Sequence, residues 1–396
     1  MYPNLYYLFE DLFGIRIEFL KMFQSFGFFV AVAFVFAAWV LSKELRRKER
    51  EGLLSPMRRK VIRGAKASPG ELLGSGIVGF VLFYKIVYVI LNFSAFLEDT
   101  QGFLLSLEGS FPGGLLGGAA AAYLKYSDKE KERKKLNLSG PSEIEETLHP
   151  WQEVGNITLI AAVAGLLGAK LFDILENLDS FAQDPWGTIF SFSGLTMYGG
   201  LIVAAISVIL YARKKGISTV HLIDASAPAL MLAYGIGRIG CHIAGDGDWG
   251  LDNLSPKPSW MGFLPDWMWA YKYPHNVLGM DHDNPIAECE GKYCYELANP
   301  VFPTPFYEAV ICIGLFFVLW ALRKRIVIPG VLFSIYLIMN GVERFFIEKI
   351  RVNTEYSFLG MSPSQAEIIA VLLILAGIAG IFYFRKRLKP SGPPAV

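Results

Sequence analysis

The fold is indicated first by an uncharged, apolar stretch near the start of the chain, SFGFFVAVAFVFAAWVL, which runs from Ser25 to Leu41. About 20 apolar residues in a helix are enough to cross the roughly 30 Å hydrocarbon core of a bilayer. In lipid such a segment must be helical, because its backbone N–H and C=O groups find no other partners. The stretch therefore predicts a membrane-spanning helix.

Eight further stretches of the same kind follow it. They lie near Leu72–Leu91, Phe111–Tyr126, Ile157–Leu175, Leu195–Ala212, Leu222–Ile243, Pro305–Leu322, Pro329–Phe346 and Ser364–Phe384. The 396 residues are 53% hydrophobic and only 18% charged, whereas soluble domains carry about 25% charged residues. We therefore predict an all-α polytopic membrane protein with about nine transmembrane helices. The composition excludes a disordered chain, a coiled coil and an ordinary cytosolic enzyme.

The lysines and arginines predict the orientation, because cytoplasmic loops carry a positive excess. Nine spans place 26 of the 37 basic residues on one side and seven on the other. The 26 lie in the segments Lys43–Lys66, Lys125–Lys135, Arg213–Lys215, Arg323–Arg325 and Arg385–Lys389. This distribution predicts an outer N-terminus and a cytoplasmic C-terminal tail over 385–396.

The net charge of +1 offers no bulk attraction to a nucleic acid, so we expect no nucleic-acid partner.

The remaining sequence, residues 1–384, predicts a single integral membrane domain. Within it, residues 72–135 form a predicted hairpin with the start of a cytoplasmic linker. The outer loop, residues 244–304, has roughly 60 residues, which is long for a structureless connection and predicts a small fold of its own. Cys289 and Cys294 in this loop are either a disulfide, which persists outside the cytoplasm, or two free thiols.

The segments Lys85–Gly114 and Lys170–Gly200 share a pattern. They begin with KIVYVILNFSAF and KLFDILENLDSF, and a Gly-Gly pair starts 28 or 29 residues after the lysine. Either two hairpins share a membrane composition, or one hairpin is a diverged copy of the other. Asp173, Glu176 and Tyr198 occur only in the second segment, so we predict that chemistry belongs to that one.

Charged residues inside predicted spans indicate function, because each costs on the order of 3 kcal/mol at the bilayer centre. The first cluster is YGIGRIGCHIAGDGDWG, from Tyr234 to Gly250. Here Arg238 stands among Gly235, Gly237 and Gly240, which would let another helix backbone approach closely. The glycines favour burial of the arginine in the bundle, and the alternative is an arginine that snorkels to the membrane surface.

The second cluster is NGVERFFIEKIR, from Asn340 to Arg351. Its spacing places Arg344, Glu348 and Arg351 on one helical face. The alternative for Glu348 and Arg351 is a solvated ion pair at a helix end. Both clusters fall at the outer ends of outward-going spans, at headgroup depth. Arginine forks bind phosphate oxygens bidentately, so the sequence predicts an outward-facing site for a lipid phosphate.

Other chemistry has less support in the sequence. His221, His242, His275 and His282 show no metal-ligand spacing with the outer cysteines, so we expect no metal and no cofactor. Cys241 and His242 are adjacent, and a Cys-His pair can be catalytic. Neighbouring residues on a helix point about 100° apart, however, which makes a direct pair an unfavourable interpretation.

At the two charged clusters, Tyr234–Gly250 and Asn340–Arg351, the sequence resembles the bacterial prolipoprotein diacylglyceryl transferase family. Gly237-Arg-Ile-Gly240, Gly245-Asp246 and Trp249-Gly250 resemble its signature of Gly-Arg-hydrophobic-Gly-Asn followed by Gly-Glu and Trp-Gly. Further matches, in order along about residues 20–384, are Phe26-Gly27, Gly168-Ala-Lys170, Tyr198-Gly-Gly200, Asp224 with Pro228, Pro303 with Tyr307-Glu308, and Arg344-x-x-x-Glu348-x-x-Arg351.

The resemblance implies transfer of the diacylglyceryl group of phosphatidylglycerol to the lipobox cysteine of preprolipoproteins, with release of glycerol 1-phosphate. Its implied partners are phosphatidylglycerol, signal peptides with a lipobox cysteine, and membrane lipids. The implied location is the bacterial cytoplasmic (inner) membrane, with the active site facing the outer leaflet. The implied catalytic residues are Arg238, Arg344, Asp246 and Tyr198, and the implied substrate-binding residues are Arg238, Gly199, Gly200, Gly240, Gly250, Tyr307, Glu308, Glu348 and Arg351.

Four departures from the family pattern affect this expectation. Tyr198 replaces a histidine, Cys241 an asparagine and Asp246 a glutamate, and one extra residue precedes Trp249. The missing histidine puts in doubt a mechanism with an imidazole base, and Asp246 is expected either to orient Arg238 or to accept the thiol proton. The alternatives are an inactive family member and a lipid-phosphate transporter or flippase, which also has glycine-broken helices.

Overall fold

The structure is a computed structural model that describes residues 1–98, 100–136, 141–191, 194–279, 284–289, 292–352 and 364–387. His282 and most of the predicted tail, from 388 onward, lie outside the described residues. The helices are α1 (Leu5–Phe13), α2 (Ser25–Arg50), α3 (Pro69–Leu91), α4 (Phe93–Glu98), α5 (Thr100–Leu105), α6 (Phe111–Lys135), α7 (Val154–Glu176), α8 (Leu178–Gln183), α9 (Pro185–Phe190), α10 (Met197–Lys214), α11 (Thr219–Ala244), α12 (Thr304–Leu322), α13 (Val331–Glu348) and α14 (Gln365–Arg387). The strands are β1 (Met57–Arg63) and β2 (Ser142–Leu148).

Each of the nine predicted apolar stretches corresponds to one of the long helices. Among the described residues, seven helices are long and apolar enough to cross a membrane: α2, α3, α7 with the turn before it, α10, α11, α12 and α14. The other two long helices, α6 and α13, are more polar. The last turns of α6 are strongly charged, and α13 carries Glu343, Arg344 and Glu348. The structure thus shows a multi-pass membrane protein, while the count of nine stays a prediction.

The chain groups into two compact units. The first comprises Met1–Ser55, Pro150–Leu159 and Val208–Val396, and the second comprises Pro56–His149 and Ile160–Ser207. The first unit contains α1, α2, α11, α12, α13, α14 and the outer loop, and the second contains α3 to α6 and both strands.

Helix α11 lies at the centre of the first unit because its glycines admit neighbouring backbones. A Cβ atom at Gly240 would lie 2.8 Å from Phe29 Cβ on α2, and one at Gly235 would lie 3.2 Å from Ile313 N on α12. These two close approaches were expected from the sequence. The expectation is wrong for Gly237, where a Cβ would meet no described atom within 4 Å.

Asp224 joins α11 to the start of α13. Its carboxylate is buried and accepts hydrogen bonds from Gly330 N at 2.7 Å and Phe333 N at 2.9 Å. These backbone N–H groups belong to the first turn of a helix, where no intrahelical acceptor exists. Asp224 therefore caps α13 from a neighbouring helix, which gives this residue a structural role.

The outer loop has a small core of its own, as predicted. Tyr273, Leu297 and Val301 are buried there, and Trp249 and Tyr271 pack against them. A disulfide joins Cys289 and Cys294, so the interpretation as two free thiols is wrong.

Thiol labelling tests this disulfide. We expect a membrane-impermeant alkylating reagent to leave Cys289 and Cys294 unlabelled on intact cells until a reductant is added, because a disulfide has no thiolate to react. The double variant Cys289→Ser/Cys294→Ser is the control for labelling elsewhere. Mass-spectrometric detection of modified Cys294 before reduction would contradict the pairing.

In the second unit, the two similar hairpins make equivalent contacts. Ser110 N donates to Tyr84 O at 2.9 Å in the first hairpin, and Thr196 N donates to Ala169 O at 3.1 Å in the second. Tyr84 and Ala169 each precede the first lysine of their repeat, and Ser110 and Thr196 each lie three residues before the glycine pair. The two backbones therefore meet in the same register.

The side chains around this register also correspond. Gly113 packs against Val87 and Gly199 packs against Phe172, in each case two residues after the lysine. The lysines themselves both reach carbonyls of the connection: Lys85 Nζ donates to Phe103 O at 3.1 Å, and Lys170 Nζ donates to Gly194 O at 3.4 Å. Shared composition alone would not reproduce these pairings, so the structure supports the internal repeat.

The second unit also contains a short two-stranded antiparallel sheet, which the sequence did not predict, in a structure that is mostly helical as expected. β1 pairs with β2 so that Met57 lies opposite Leu148 and Arg63 opposite Ser142. One strand is basic and the other is acidic. An ion pair joins Lys60 Nζ on β1 to Glu143 Oε2 on β2 at 3.5 Å. The pairing was missed because each charged segment alone resembles a solvated cytoplasmic loop.

Candidate active site

Arg238, on the penultimate turn of α11, is buried, with 7% of its surface exposed. Its Nε faces the carboxylate of Glu308 on α12, and its Nη1 faces Asp248 in the loop after α11. The ring of Tyr234, one helical turn earlier, lies 5.3 Å from the guanidinium carbon. The guanidinium therefore points into the bundle, and the snorkelling alternative is wrong.

Glu308 is the common partner of three arginines. Its Oε1 accepts from Arg344 Nη1 at 3.4 Å and from Arg351 Nη1 at 3.3 Å. Its Oε2 faces Arg238 Nε and accepts from the hydroxyl of Tyr234 at 3.2 Å. Glu308 is fully buried, so this one carboxylate gathers cations from α11, from α13 and from the segment after α13.

Asp248 is the second carboxylate that holds the arginines. It accepts from Arg351 Nη2 at 2.7 Å and contacts Arg238 Nη1. Its backbone is positioned by Thr304 Oγ1, which donates to Asp248 O at 2.8 Å. Burial alone would raise the pKa of Asp248, but Arg238 and Arg351 outweigh it and hold the pKa below its usual value. The sequence had offered Asp246 as the partner that orients Arg238, and the structure places Asp248 there.

Arg344 and Glu348 pair along one face of α13, as their spacing predicted. Arg344 Nη2 lies 3.1 Å from Glu348 Oε2, and Ser364 Oγ donates to Glu348 Oε1 at 2.7 Å. Glu348 is buried, and Arg351 turns toward Asp248 instead of toward Glu348. The alternative of a solvated Glu348–Arg351 pair is therefore wrong.

We call this set of three arginines and three carboxylates the arginine cluster: Arg238, Arg344, Arg351, Asp248, Glu308 and Glu348. Three positive charges face three negative charges when all are ionised. Each guanidinium carries five N–H donors in a fixed plane, which is more than these ion pairs use. The carboxylates therefore fix the direction of the forks.

Cys241 and His242, adjacent in the sequence, point to different surroundings. Cys241 Sγ lies 3.7 Å from Arg238 Nη1. His242 Nδ1 lies 3.1 Å from the hydroxyl of Tyr273 in the core of the outer loop. The two side chains form no direct pair, as the helical geometry predicted.

Asp246 lies next to Cys241 and Asp248. Its Oδ1 accepts from Asp248 N at 3.3 Å, and burial, followed by the charge of Asp248, raises the pKa of Asp246. Donor atoms of Cys241, Asp246 and Asp248 lie within 4.8 Å of one another, which could hold a metal ion. The Arg238 guanidinium contacts Asp248 and lies 3.7 Å from Cys241 Sγ, so a positive charge already faces two of the three residues and we assign no metal to this group.

Tyr307, Gly240 and Gly250, which were predicted to bind substrate, make contacts within the protein that stabilise the fold. The hydroxyl of Tyr307 donates to Met268 O at 2.7 Å, away from the arginines. Gly250 N donates to Phe302 O at 2.9 Å, and a Cβ atom at Gly250 would clash with Ile350 O. Gly250 thus lets two backbone segments meet beside Arg351, as Gly240 does between α2 and α11. The substrate-binding roles of Tyr307, Gly240 and Gly250 stay predictions.

Tyr198, Gly199 and Gly200 belong to the second unit, whereas the arginine cluster belongs to the first. Gly199 and Gly200 are buried, and Cβ atoms there would lie 2.7 Å from Gly168 O and 2.9 Å from Gly165 O on α7. The glycine pair therefore serves the packing of α10 on α7. The catalytic role of Tyr198, which is half-buried, stays a prediction.

Three residues in or beside the arginine cluster were not among the predicted site residues. Tyr234 stands four residues before Arg238, so the helical spacing that linked Arg344 with Glu348 could have found it. Asp248 follows a turn, where spacing carries no signal. Glu343 is a charge inside a predicted span, and the cost of intramembrane charge could have identified it.

Comparison with known proteins identifies relatives of the chain. The sequence profile of the prolipoprotein diacylglyceryl transferase family matches residues 138–383. This region includes α7 to α13 and most of α14, and it begins after the hairpin of α3 and α6.

Individual relatives agree with the family match. A protein of Clostridium tetani named phosphatidylglycerol–prolipoprotein diacylglyceryl transferase is 29% identical over 233 residues, which are 59% of this chain and 82% of the relative. A protein of the same name from Shouchella clausii is 28% identical over 61% of this chain and 78% of its own length. One from Leptospira interrogans is 25% identical over 316 residues, covering 66% and 84%.

Proposed function

This chain belongs to the prolipoprotein diacylglyceryl transferase family, and we propose that it transfers the diacylglyceryl group of phosphatidylglycerol to the lipobox cysteine thiol of preprolipoproteins. Glycerol 1-phosphate is the second product, and the reaction is the first step of lipoprotein maturation. The observation that carries the proposal is the convergence of Arg238, Arg344 and Arg351 on the buried carboxylate of Glu308.

The bond changes explain why arginines are needed. The sulfur of the substrate cysteine forms a bond to the terminal glyceryl carbon, and the bond between that carbon and the phosphate oxygen breaks. The electron pair of the broken bond stays on the phosphate, which gains one negative charge. Preorganised donors aimed at a developing charge lower the barrier, and they act most strongly where water is excluded.

We infer the parts that named residues play in this chemistry from the ion pairs of the arginine cluster. Arg238 and Arg344 bind the phosphate through donors that their own ion pairs leave available, and Glu308 and Asp248 keep the guanidinium planes in place. The thiol must also lose its proton, because the thiolate is the nucleophile. The required acceptor is a carboxylate near the cluster, and Asp246 is the candidate that the family resemblance predicts.

Product release in vitro tests the proposed function. The purified protein in lipid nanodiscs receives phosphatidylglycerol labelled in the headgroup glycerol and a peptide with a lipobox cysteine. We expect glycerol phosphate and thioether-linked peptide to form in equal amounts. A transporter or flippase would move label across a bilayer and form neither product, and an inactive family member would bind phosphatidylglycerol without turnover.

The topology is part of the proposal. Nine spans in one membrane domain place the N-terminus outside, the tail in the cytoplasm and the arginine cluster at the outer leaflet of the cytoplasmic membrane. The 26-to-7 distribution of basic residues and the disulfide of Cys289 with Cys294 support this orientation, because disulfides persist outside the cytoplasm.

Reporter fusions test the orientation. We expect alkaline phosphatase, which folds only outside the cytoplasm, to be inactive when fused after Pro390 and active when fused within the outer loop after Lys257. Green fluorescent protein at the same positions should give the opposite result. An active phosphatase after Pro390 would refute the nine-span topology, because one span more or fewer moves the C-terminus to the other side.

A further inference from the structure

Glu343 is a buried carboxylate for which the proposed mechanism has no role. It lies on α13 immediately before Arg344, and 5% of its surface is exposed. Within the part of the chain that the structure describes, neither carboxylate oxygen has a hydrogen-bond partner. Buried polar groups are nearly always hydrogen-bonded, and a carboxylate without a donor is costly to keep. Such an exception requires an explanation.

The three carboxylates of the arginine cluster are engaged as acceptors of ion pairs. Glu308 holds three arginines, Asp248 holds two, and Glu348 holds Arg344 and Ser364. Protonation of any of these would break a buried ion pair, which is strongly destabilising. Glu343 can accept a proton without breaking one.

The groups that surround Glu343 are those of the arginine cluster. On α12, Glu308 and Cys312 interact with it electrostatically, and on α11 Arg238 and Tyr234 do so. Arg344 on its own helix and Arg351 beyond it complete the set. Glu343 is therefore close enough to sense the charge of the same arginines that would hold the phosphate.

We propose that Glu343 is the general base that takes the proton from the lipobox cysteine thiol. The proposal rests on the proposed transferase function. The S–H bond breaks and its proton passes to a carboxylate oxygen of Glu343, while the sulfur attacks the glyceryl carbon. The phosphate leaves with the electron pair of the C–O bond, and Glu343 then releases the proton to water.

The departure at position 198 fits this assignment. The family resemblance places a histidine there, and this chain has a tyrosine. A phenol keeps its own proton at neutral pH and therefore accepts none from a thiol. A chain without the imidazole needs another proton acceptor. Glu343 supplies a carboxylate on α13, a helix that already presents Arg344 to the same reaction.

Paired thiol and selenol substrates test the proposal. A selenol is ionised at neutral pH, so a selenocysteine lipobox peptide needs no base, whereas the cysteine peptide does. We expect Glu343→Gln to lower kcat with the cysteine peptide by about 10²–10⁴-fold, the range of a general base, and with the selenocysteine peptide by less than about tenfold. Asp246→Asn is the matched control, since it removes the other candidate acceptor.

Each outcome has one interpretation. Equal losses of Glu343→Gln for both peptides, or no loss for the cysteine peptide, would overturn the assignment. It would also be overturned if Asp246→Asn were the variant that loses activity with the cysteine peptide and keeps it with the selenocysteine peptide. If the wild-type protein releases no glycerol phosphate with either peptide, the proposed function itself fails. An active wild type with an unaffected Glu343→Gln variant refutes only the role of Glu343.

Two measurements keep the proposal testable if Glu343→Gln does not fold. In the wild type, kcat/KM for the cysteine peptide should rise with pH as the base and the substrate thiol ionise, and this limb should be absent with the selenocysteine peptide. Glu343→Asp keeps the carboxylate and should retain the limb at a lower rate. A wild-type pH profile that is identical for the two peptides would refute the proposal without any variant.

Discussion

Replacement of Arg238 or Arg344 by lysine is expected to lower the rate of diacylglyceryl transfer by about 10²–10³-fold, the loss typical of one preorganised donor to a developing anion. Lysine keeps the charge but presents its donors from a single nitrogen. It cannot face Glu308 and Asp248 together as Nε and Nη1 of Arg238 do. The measurement is lipidated peptide formed per unit of membrane-inserted protein.

Thermal unfolding in detergent shows whether each lysine variant remains folded, and so separates a loss of donor geometry from a loss of folding.

Tyr198→Phe tests a predicted catalytic residue in the other unit. A loss of about 10²–10⁴-fold in Tyr198→Phe would give the phenol the role of the missing histidine. A small loss, which we favour, would leave it a packing role. Full activity in either lysine variant would contradict bidentate phosphate binding.

Replacement of Glu308 by glutamine is expected to destabilise the first unit as well as abolish activity. Glutamine keeps the shape but removes the negative charge that Arg238, Arg344 and Arg351 share. Removal of one member of a buried ion pair costs about 3–5 kcal/mol, because it leaves the partner charge uncompensated. The thermal unfolding midpoint in detergent and the transfer rate should therefore both fall.

Tyr307→Phe is the matched control on the same turn of α12. It removes one hydrogen bond to Met268 O, which is worth about 0.5–1.5 kcal/mol. We expect only a small shift of the unfolding midpoint. If Tyr307→Phe destabilised the protein as much as Glu308→Gln, the common role of Glu308 would be wrong.

The rival functions make different use of the same charges. A transporter needs a path to both membrane faces, and the six charged residues of the arginine cluster lie together in one unit. An inactive relative would tolerate changes to the residues that hold the arginines. The family membership favours the enzyme, and the predicted rate losses in the arginine variants distinguish it from both rivals.

Part of the arginine cluster could be predicted from the sequence because its residues are local neighbours. Arg344 and Glu348 are four residues apart in a helix, and this spacing alone places them in contact. The same spacing grouped Arg351 with them, whereas Glu308 could be named only through the family resemblance. Their meeting depends on how α12 packs beside α13, which no spacing within either segment expresses.

The sequence by itself determined the long helices, the membrane, the local Arg344–Glu348 pair and the family. These follow from hydropathy, backbone hydrogen bonding and short-range spacing, which act within one segment. Only the tertiary structure decided that Asp248 holds Arg238, that Glu308 is shared by three arginines, and that β1 pairs with β2 across about 80 intervening residues. It also decided that Glu343 finds no hydrogen-bond donor among the residues that the structure describes. The reason is physical: ion pairs and strand pairs form between whichever distant groups the packing of helices brings within a few ångströms, and burial then makes each pairing, or its absence, energetically decisive.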